Sequence, residues 1–329
     1  MKNPLLICLT STRNYGWVTS AFLKANSLWA DYIIMVDQMS TDGTRELALA
    51  NPKVILLENE DLTYSETKRS EMAINRAREI DGDKILIYLA IDEVFPANFK
   101  ETEGWKKILN SLPGEVFCFQ WANLLPDKKT YFLSGKNFWM ARGFHDDNIT
   151  PYNNEGLDMH THCIPYPDKP VKESLIDDIK ILHFAFFNEN WNAAKQRFYQ
   201  FVDFDKNNRT ATQMDRMYNG RSNKTRSILA LESQWIHKKE EVGFNLFDEI
   251  DQKEQPFFDN YVLDFISKKG INHYRKLNVW SDAFLNKYNL KDPRTLLTKI
   301  VHYYFNNTRN RTNFILVRII DKFLKTIKF

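Results

Sequence analysis

Cysteine is scarce in this chain. Cys8, Cys118 and Cys163 are the three present in 329 residues, far apart and without a Cys-x-x-Cys pair. That spacing argues against a disulfide framework and a zinc knuckle, and it fits a reducing compartment. An excess of one charge is also missing. Lys and Arg number 45 against 42 Asp and Glu, a net charge of +3, so no global signature for nucleic acid exists and any basic site has to be local. No run of about eighteen apolar residues occurs, and no membrane-crossing helix is expected. The chain enters an apolar stretch at once, with no cleavable signal pattern, which leads us to expect a cytoplasmic protein. Asn-x-Thr triplets such as Asn223-Lys224-Thr225 are then chance matches. Neither Gly-x-Gly-x-x-Gly nor Gly-x-x-x-x-Gly-Lys-Ser/Thr is found, which disfavours a nicotinamide dehydrogenase and a P-loop NTPase together.

What is present is a regular alternation. At 43% hydrophobic the chain can bury a large core. Short, largely apolar runs at 5–10, 33–36, 54–58 and 84–89 alternate with helical patterns at 17–29, 45–50 and 65–80. Strands buried on both faces, separated by helices, predict an α/β domain with a largely parallel sheet. Asp37 ends the second of these strands, at the edge where such sheets bind ligands. The loop that follows Thr10, through Asn14, joins an inner strand to a helix N-terminus, where unpaired backbone N–H groups suit a phosphate. Asp92 and Glu93 end the fourth strand. Two buried acids need a cation or water there, and a divalent ion answers both charges.

The stretch Asp37-Gln38-Met39-Ser40-Thr41-Asp42-Gly43-Thr44 resembles the Asp-x-x-Ser-Thr-Asp-Gly-Thr signature of family 2 glycosyltransferases of the GT-A fold. The resemblance covers residues 1–100 and thins beyond them. It implies an α/β, GT-A (Rossmann-like) fold, a mostly parallel sheet flanked by helices, with a helical C-terminal extension. It also implies a nucleoside-diphosphate sugar as donor, bound by Thr10, Asn14, Asp37, Asp42 and Arg69. In the family an acidic motif after the fourth strand holds Mn²⁺ or Mg²⁺. Here Ala90 takes its first position, which leaves Asp92 as direct ligand and Glu93 as a second metal ligand or a support for the first. His183, after a strand at 179–182, matches the late histidine that closes the metal shell in many such enzymes. By this reading 1–205 form a GT-A-like catalytic domain, with 1–100 the nucleotide-binding half and 101–205 the acceptor half. Residues 206–329 form a mostly helical extension.

The acceptor half alternates apolar and polar residues at 116–121 and 130–133, the pattern of short edge strands. Trp121, Phe138 and Trp139 suit either the core or a sugar ring. A loop-rich stretch then gathers His145, Asp146, Asp147, Glu155, Asp158, His160 and His162. An inverting transferase needs one general base for the acceptor hydroxyl. Family analogy gives Glu155 and Asp158 as candidates, with Asp146 and Asp147 behind them. Helical patterns are expected at 189–204, 227–237 and 257–269. The tail at 314–329 reads as a basic amphipathic helix that fits an anionic membrane surface, the domain itself or a second subunit.

The function expected is transfer of a sugar to a hydroxyl of a surface-glycan or lipid-linked acceptor, at the inner face of the cell membrane and without nucleic acid. Two rivals remain. A nucleotidyltransferase shares the sheet, nucleotide and metal, but residues 11–16 lack the glycine-rich basic loop it would want. A catalytically silent nucleotide- or glycan-binding module is suggested by Ala90.

Overall fold

The computed structural model describes residues 3–135, 137–152, 161–169, 172–206, 209–219, 227–251 and 257–329. The chain forms two compact units, Met1–Asn188 with Ile228–Glu254, and Glu189–Ser227 with Gln255–Phe329.

The first unit opens as a run of βα repeats. These are β1 (Leu5–Thr12), α1 (Gly16–Asn26), β2 (Tyr32–Asp37), α2 (Thr44–Leu49), β3 (Val54–Glu58), α3 (Glu66–Arg78) and β4 (Lys84–Tyr88). The four strands lie in the order β3-β2-β1-β4, all parallel. Their carboxyl ends therefore share one edge. Register sets Thr12 against Asp37 and Leu9 against Tyr88. Ile7, Cys8 and Leu9 of β1 and Ile33 to Val36 of β2 are fully buried, as strands covered on both faces must be. On one face Ala73, Ile74 and Ala77 of α3 pack against Ile7, Ile34 and Leu86. Ser65 fixes the start of α3 by accepting from the backbone N–H of Lys68 at 3.3 Å.

The sheet continues through β5 (Glu93–Val94), α4 (Glu103–Leu109), β6 (Glu115–Leu124), β7 (Thr130–Leu133), β8 (Met140–His145) and β9 (Lys172–His183). β8 runs antiparallel between β4 and β6. β9 pairs parallel with β6 and antiparallel with β5, which sets both Glu93 and Asn123 opposite His183. The fold is α/β: a mixed sheet, parallel through β1 to β4 and flanked by helices, with further helices toward the C-terminus. Gly143 is needed where β8 crosses β6, because a Cβ there would lie 2.8 Å from the Phe117 ring.

The chain then passes through α5 (Glu189–Lys206) and α6 (Ala211–Met214) of the second unit. It returns to the first unit with β10 (Leu229–Ala230) and α7 (Lys239–Val242). It finishes in the second with α8 (Phe258–Lys269), α9 (Asp282–Lys287), α10 (Leu296–Thr308) and α11 (Ile315–Thr326). Residues 227–237, expected to be helical throughout, hold only a short 3-10 turn at Ser233–Trp235. Leu229 and Ala230 add an edge strand to β7, and Leu231 N donates to Lys129 O at 2.8 Å. A tertiary ladder has overridden a short and ambiguous period. The second unit packs aromatic on aromatic, with Phe201 and Tyr274 centroids 4.3 Å apart. No helix among the described residues is long and apolar enough to cross a membrane.

Candidate functional site

The loops after β1 and β2 are tied to each other. Asn14 adopts a left-handed conformation (φ 54°) that Asn tolerates better than most residues. Its backbone N–H donates to Ser40 Oγ at 2.8 Å, and its Oδ1 accepts from Thr41 N at 2.7 Å. Asp37, fully buried, accepts from Ser40 N at 3.0 Å, from Ser40 Oγ and from Arg45 at 3.1 Å. Arg45 also pairs with Glu58. Asp42 caps α1 by accepting from Gly16 N at 2.7 Å, and its other oxygen accepts from Thr44 Oγ1 at 2.6 Å. A Cβ on Gly16 would sit 2.7 Å from Asp42 O, so only glycine admits that approach. The signature octapeptide is thus a staple across two loops. A carboxylate offers about four acceptor positions. Among the described residues three donors reach those of Asp37, two on Oδ2 and one on Oδ1.

Thr10 is buried in β1, and its Oγ1 has no hydrogen-bond partner among the described residues. Arg69 is buried on α3 with its guanidinium 4.7 Å from the centre of the Tyr64 ring.

Beyond β4 a tight turn is closed from both sides. Glu93 N donates to Ala90 O at 2.8 Å, and Ala90 N donates to Glu93 Oε2 at 2.9 Å. Glu93 Oε1 accepts from Trp121 Nε1 at 2.8 Å and lies 3.6 Å from Arg142. The Arg142 guanidinium sits over the Tyr88 and Trp121 rings at 5.3 and 5.4 Å. Burial works against its charge, yet Glu93 raises its pKa, so Arg142 stays cationic. Asp92, buried, points Oδ2 at His183 Nε2 across 3.8 Å. The His183 ring stacks on Trp121, with centroids 4.7 Å apart.

The proton on His183 follows from its other nitrogen. Asn123 Nδ2 donates to Phe132 O at 3.2 Å and Ser134 Oγ at 2.9 Å, so Asn123 Oδ1 is the acceptor facing His183 Nδ1 at 2.9 Å. Nδ1 therefore carries a hydrogen, and Nε2, which bears the lone pair when the ring is neutral, is the nitrogen that faces Asp92. A carboxylate oxygen and an imidazole nitrogen 3.8 Å apart fall within reach of one ion bound at about 2.1 Å to each. No cluster of three or more His, Cys, Asp or Glu forms a metal cage among the described residues. An ion in this pair would complete its shell with water and phosphate, the habit of Mg²⁺ at phosphate sites. The residues present fit such an ion.

The sheet puts Asp37 and the Asp92 turn at the same carboxyl edge, on the two strands flanking β1. Strand spacing separates those strands by about 10 Å. Other sequence candidates lie elsewhere. His145 bonds Ser111 at 2.9 Å and Asp83 at 2.8 Å, and Asp146 pairs with Arg78 at 2.7 Å. Asp147 caps its own turn through Thr150 at 2.7 Å. These two acids hold loops together. His162 stacks on Tyr166 at 4.4 Å, and burial lowers its pKa. Glu155, Asp158 and His160 lie outside the described residues.

Asn123 and Arg142 escaped the sequence reading. Asn123 stands two residues from Trp121, hence on the same face of β6, and that alternation could have signalled it. Arg142 gave no signal, because Met140-Ala141-Arg142-Gly143 reads as neither strand nor helix.

Neither a model of a known protein family nor a curated protein sequence matches the chain. Solved structures resemble it weakly. One is residues 1–349 of S. aureus TarS, 11% identical over 65% of this chain and 64% of that one, with a TM-score of 0.40. Another is the inositol-1-phosphate CTP transferase of T. maritima, 8% identical over 56% of this chain and 91% of that one, with a TM-score of 0.36. A third is the glucosyl-3-phosphoglycerate synthase of Mycobacterium tuberculosis with Mg²⁺ and uridine diphosphate, 14% identical over 38% and 44%, with a TM-score of 0.28. At these values the likenesses assign no activity to this chain.

Proposed function

We propose that the carboxyl edge of the sheet binds a nucleoside-diphosphate sugar and that the chain transfers the sugar to a hydroxyl of a surface-glycan or lipid-linked acceptor, with inversion. The observation that supports this most is the pair of Asp92 and His183, 3.8 Å apart with its tautomer fixed by Asn123, on the edge that also carries Asp37. Asp92 and His183 would hold Mn²⁺ or Mg²⁺. Bound there, such an ion neutralises charge on a departing diphosphate. Glu93 holds the turn that presents Asp92 and keeps Arg142 charged at its side. Arg69 is the candidate cation for the diphosphate, while Thr10, Asn14, Asp37 and Asp42 shape the nucleoside side. Glu155 or Asp158 would take the acceptor proton. In domain terms, 1–205 would be the catalytic part and 206–329 the extension. A lipid-linked acceptor brings the protein to the inner face of the membrane, so contact between residues 314–329 and an anionic surface belongs to the same reading.

A silent nucleotide-binding module is the second reading, favoured by Ala90, whose amide serves Glu93 where the family has an acid. Thermal unfolding with a panel of nucleotide sugars, with and without Mn²⁺, tests both, since a ligand of the folded state at a hundred times its Kd adds about 2.7 kcal/mol. A metal-dependent shift accompanied by release of nucleoside diphosphate supports transfer. A shift without turnover of any UDP- or GDP-sugar supports the silent module, and release of pyrophosphate from a nucleoside triphosphate would replace both with nucleotidyl transfer.

A further inference from the structure

The helices α10 and α11 bury one face and leave another apolar face in solvent. On α10, Thr298, Val301, His302 and Phe305 point inward, and on α11 Val317, Asp321 and Leu324 do the same. Val301, Phe305, Leu324 and Phe329 close one core cluster with Ala211. The outward faces are not polar. Leu296, Leu297, Ile300 and Tyr303 on α10 are each more than half exposed. So are Ile315, Leu316, Ile319 and Phe323 on α11. At 3.6 residues per turn each set falls within an arc of about 120°. Soluble monomers rarely leave large apolar residues out in such groups.

Charge decides what covers them. Arg311, Arg318, Lys322, Lys325 and Lys328 are exposed on or beside α11, whereas the sole acid between 293 and 329 is Asp321. Asp321 is buried, paired with Arg216 at 2.8 Å and hydrogen-bonded by Tyr304 at 2.9 Å. No acid of these helices therefore faces out to offset the cations. A second copy docking by a two-fold axis would set like charges against each other. We infer that α10 and α11 together form a docking face for an anionic lipid surface, with leucine, isoleucine and aromatic side chains in the interface and lysine and arginine at the headgroups. The proposed face takes in α10 as well as the tail helix, because α10 carries four of the eight exposed apolar side chains named above. It extends the membrane contact proposed above without depending on transfer chemistry.

Vesicle flotation of the full chain, in the absence of nucleotide and metal, tests the inference separately from the crevice. The chain is expected to float with vesicles of phosphatidylcholine and phosphatidylglycerol and not with phosphatidylcholine alone, less so as salt rises. Lys322→Gln with Lys325→Gln should weaken partitioning about fivefold per charge removed. Ile300→Ser with Ile319→Ser should weaken it at unchanged thermal unfolding, since both side chains are exposed. Absence of flotation with anionic vesicles at low salt overturns the inference, as does equal flotation with neutral ones. A dimer dispersed by the serine pair, with no vesicle binding, overturns it in favour of a second copy.

Discussion

Asp37 and Asp92 are both buried carboxylates at the carboxyl edge of one sheet, yet they are held in opposite ways. Asp37 is engaged by Ser40 within the octapeptide that made it recognisable and by Arg45 just after it. Asp92 lies 3.8 Å from the His183 ring, in a turn whose other acid is occupied by Trp121 and Ala90. The contrast teaches that a sequence signature can be legible because it builds the loop, while the residue proposed to bind the ion lies in a plainer stretch. Asp37 should matter to stability first, and Asp92 to ligand first.

The largest expected effect has to be cleared out of the way before that contrast is measured. His237 is buried, has no hydrogen-bond partner for either ring nitrogen among the described residues, and stacks on Phe244. Burial lowers its pKa from 6.5 to about 4. The unfolded chain therefore binds a proton that the folded chain refuses between those values. Stability is full above pH 6.5, falls as pH drops through the window, and is lower by about 3 kcal/mol below pH 4. Denaturant titrations of the wild type and His237→Phe from pH 7 to 4 should differ by a curve of that shape. A parallel pair of curves would refute the assignment. Comparisons of Asp37 with Asp92 then belong above pH 7.

There, Asp37→Ala should cost about 3 kcal/mol in denaturant unfolding, because it strips Ser40 and Arg45 of a buried partner. Asp92→Asn should change unfolding by about 1 kcal/mol or less and remove the Mn²⁺-dependent part of any nucleotide-induced shift. Reversed outcomes, with Asp37 silent in stability and Asp92 costly, would break the comparison.

Much of this was readable in advance, and for physical reasons. β1, β2 and β4 are strands buried largely on both faces, so their apolar runs carried their own boundaries, and Asp37, Asp92, Glu93 and His183 fall at or just past strand ends. β8 was invisible because Arg142 and Gly143 are there for neighbours distant in sequence, the Glu93 carboxylate and the Phe117 ring. Residues 229–231 misled for the same reason, since β7 and Lys129 decide their conformation. The base candidates Glu155 and Asp158 rest on analogy, which no period or cap could sharpen. Asp42 shows the converse, a residue whose N-capping of α1 across 26 positions no local pattern encodes.

The smallest effect isolates the part of the pair that sequence reading missed. Asn123 touches neither nucleotide nor ion in the proposed site; it acts on His183 by accepting the Nδ1 hydrogen, with its own amide anchored on Phe132 and Ser134. Removing such an orienting partner typically lowers metal affinity 10- to 100-fold. Asn123→Ala should therefore weaken Mn²⁺ binding, followed by electron paramagnetic resonance of the free ion, by about that factor. Asn123→Asp, which keeps the acceptor, should recover most of the loss. If both variants bind Mn²⁺ like the wild type, His183 is not a ligand, because a ring free to turn would not hold Nε2 toward Asp92.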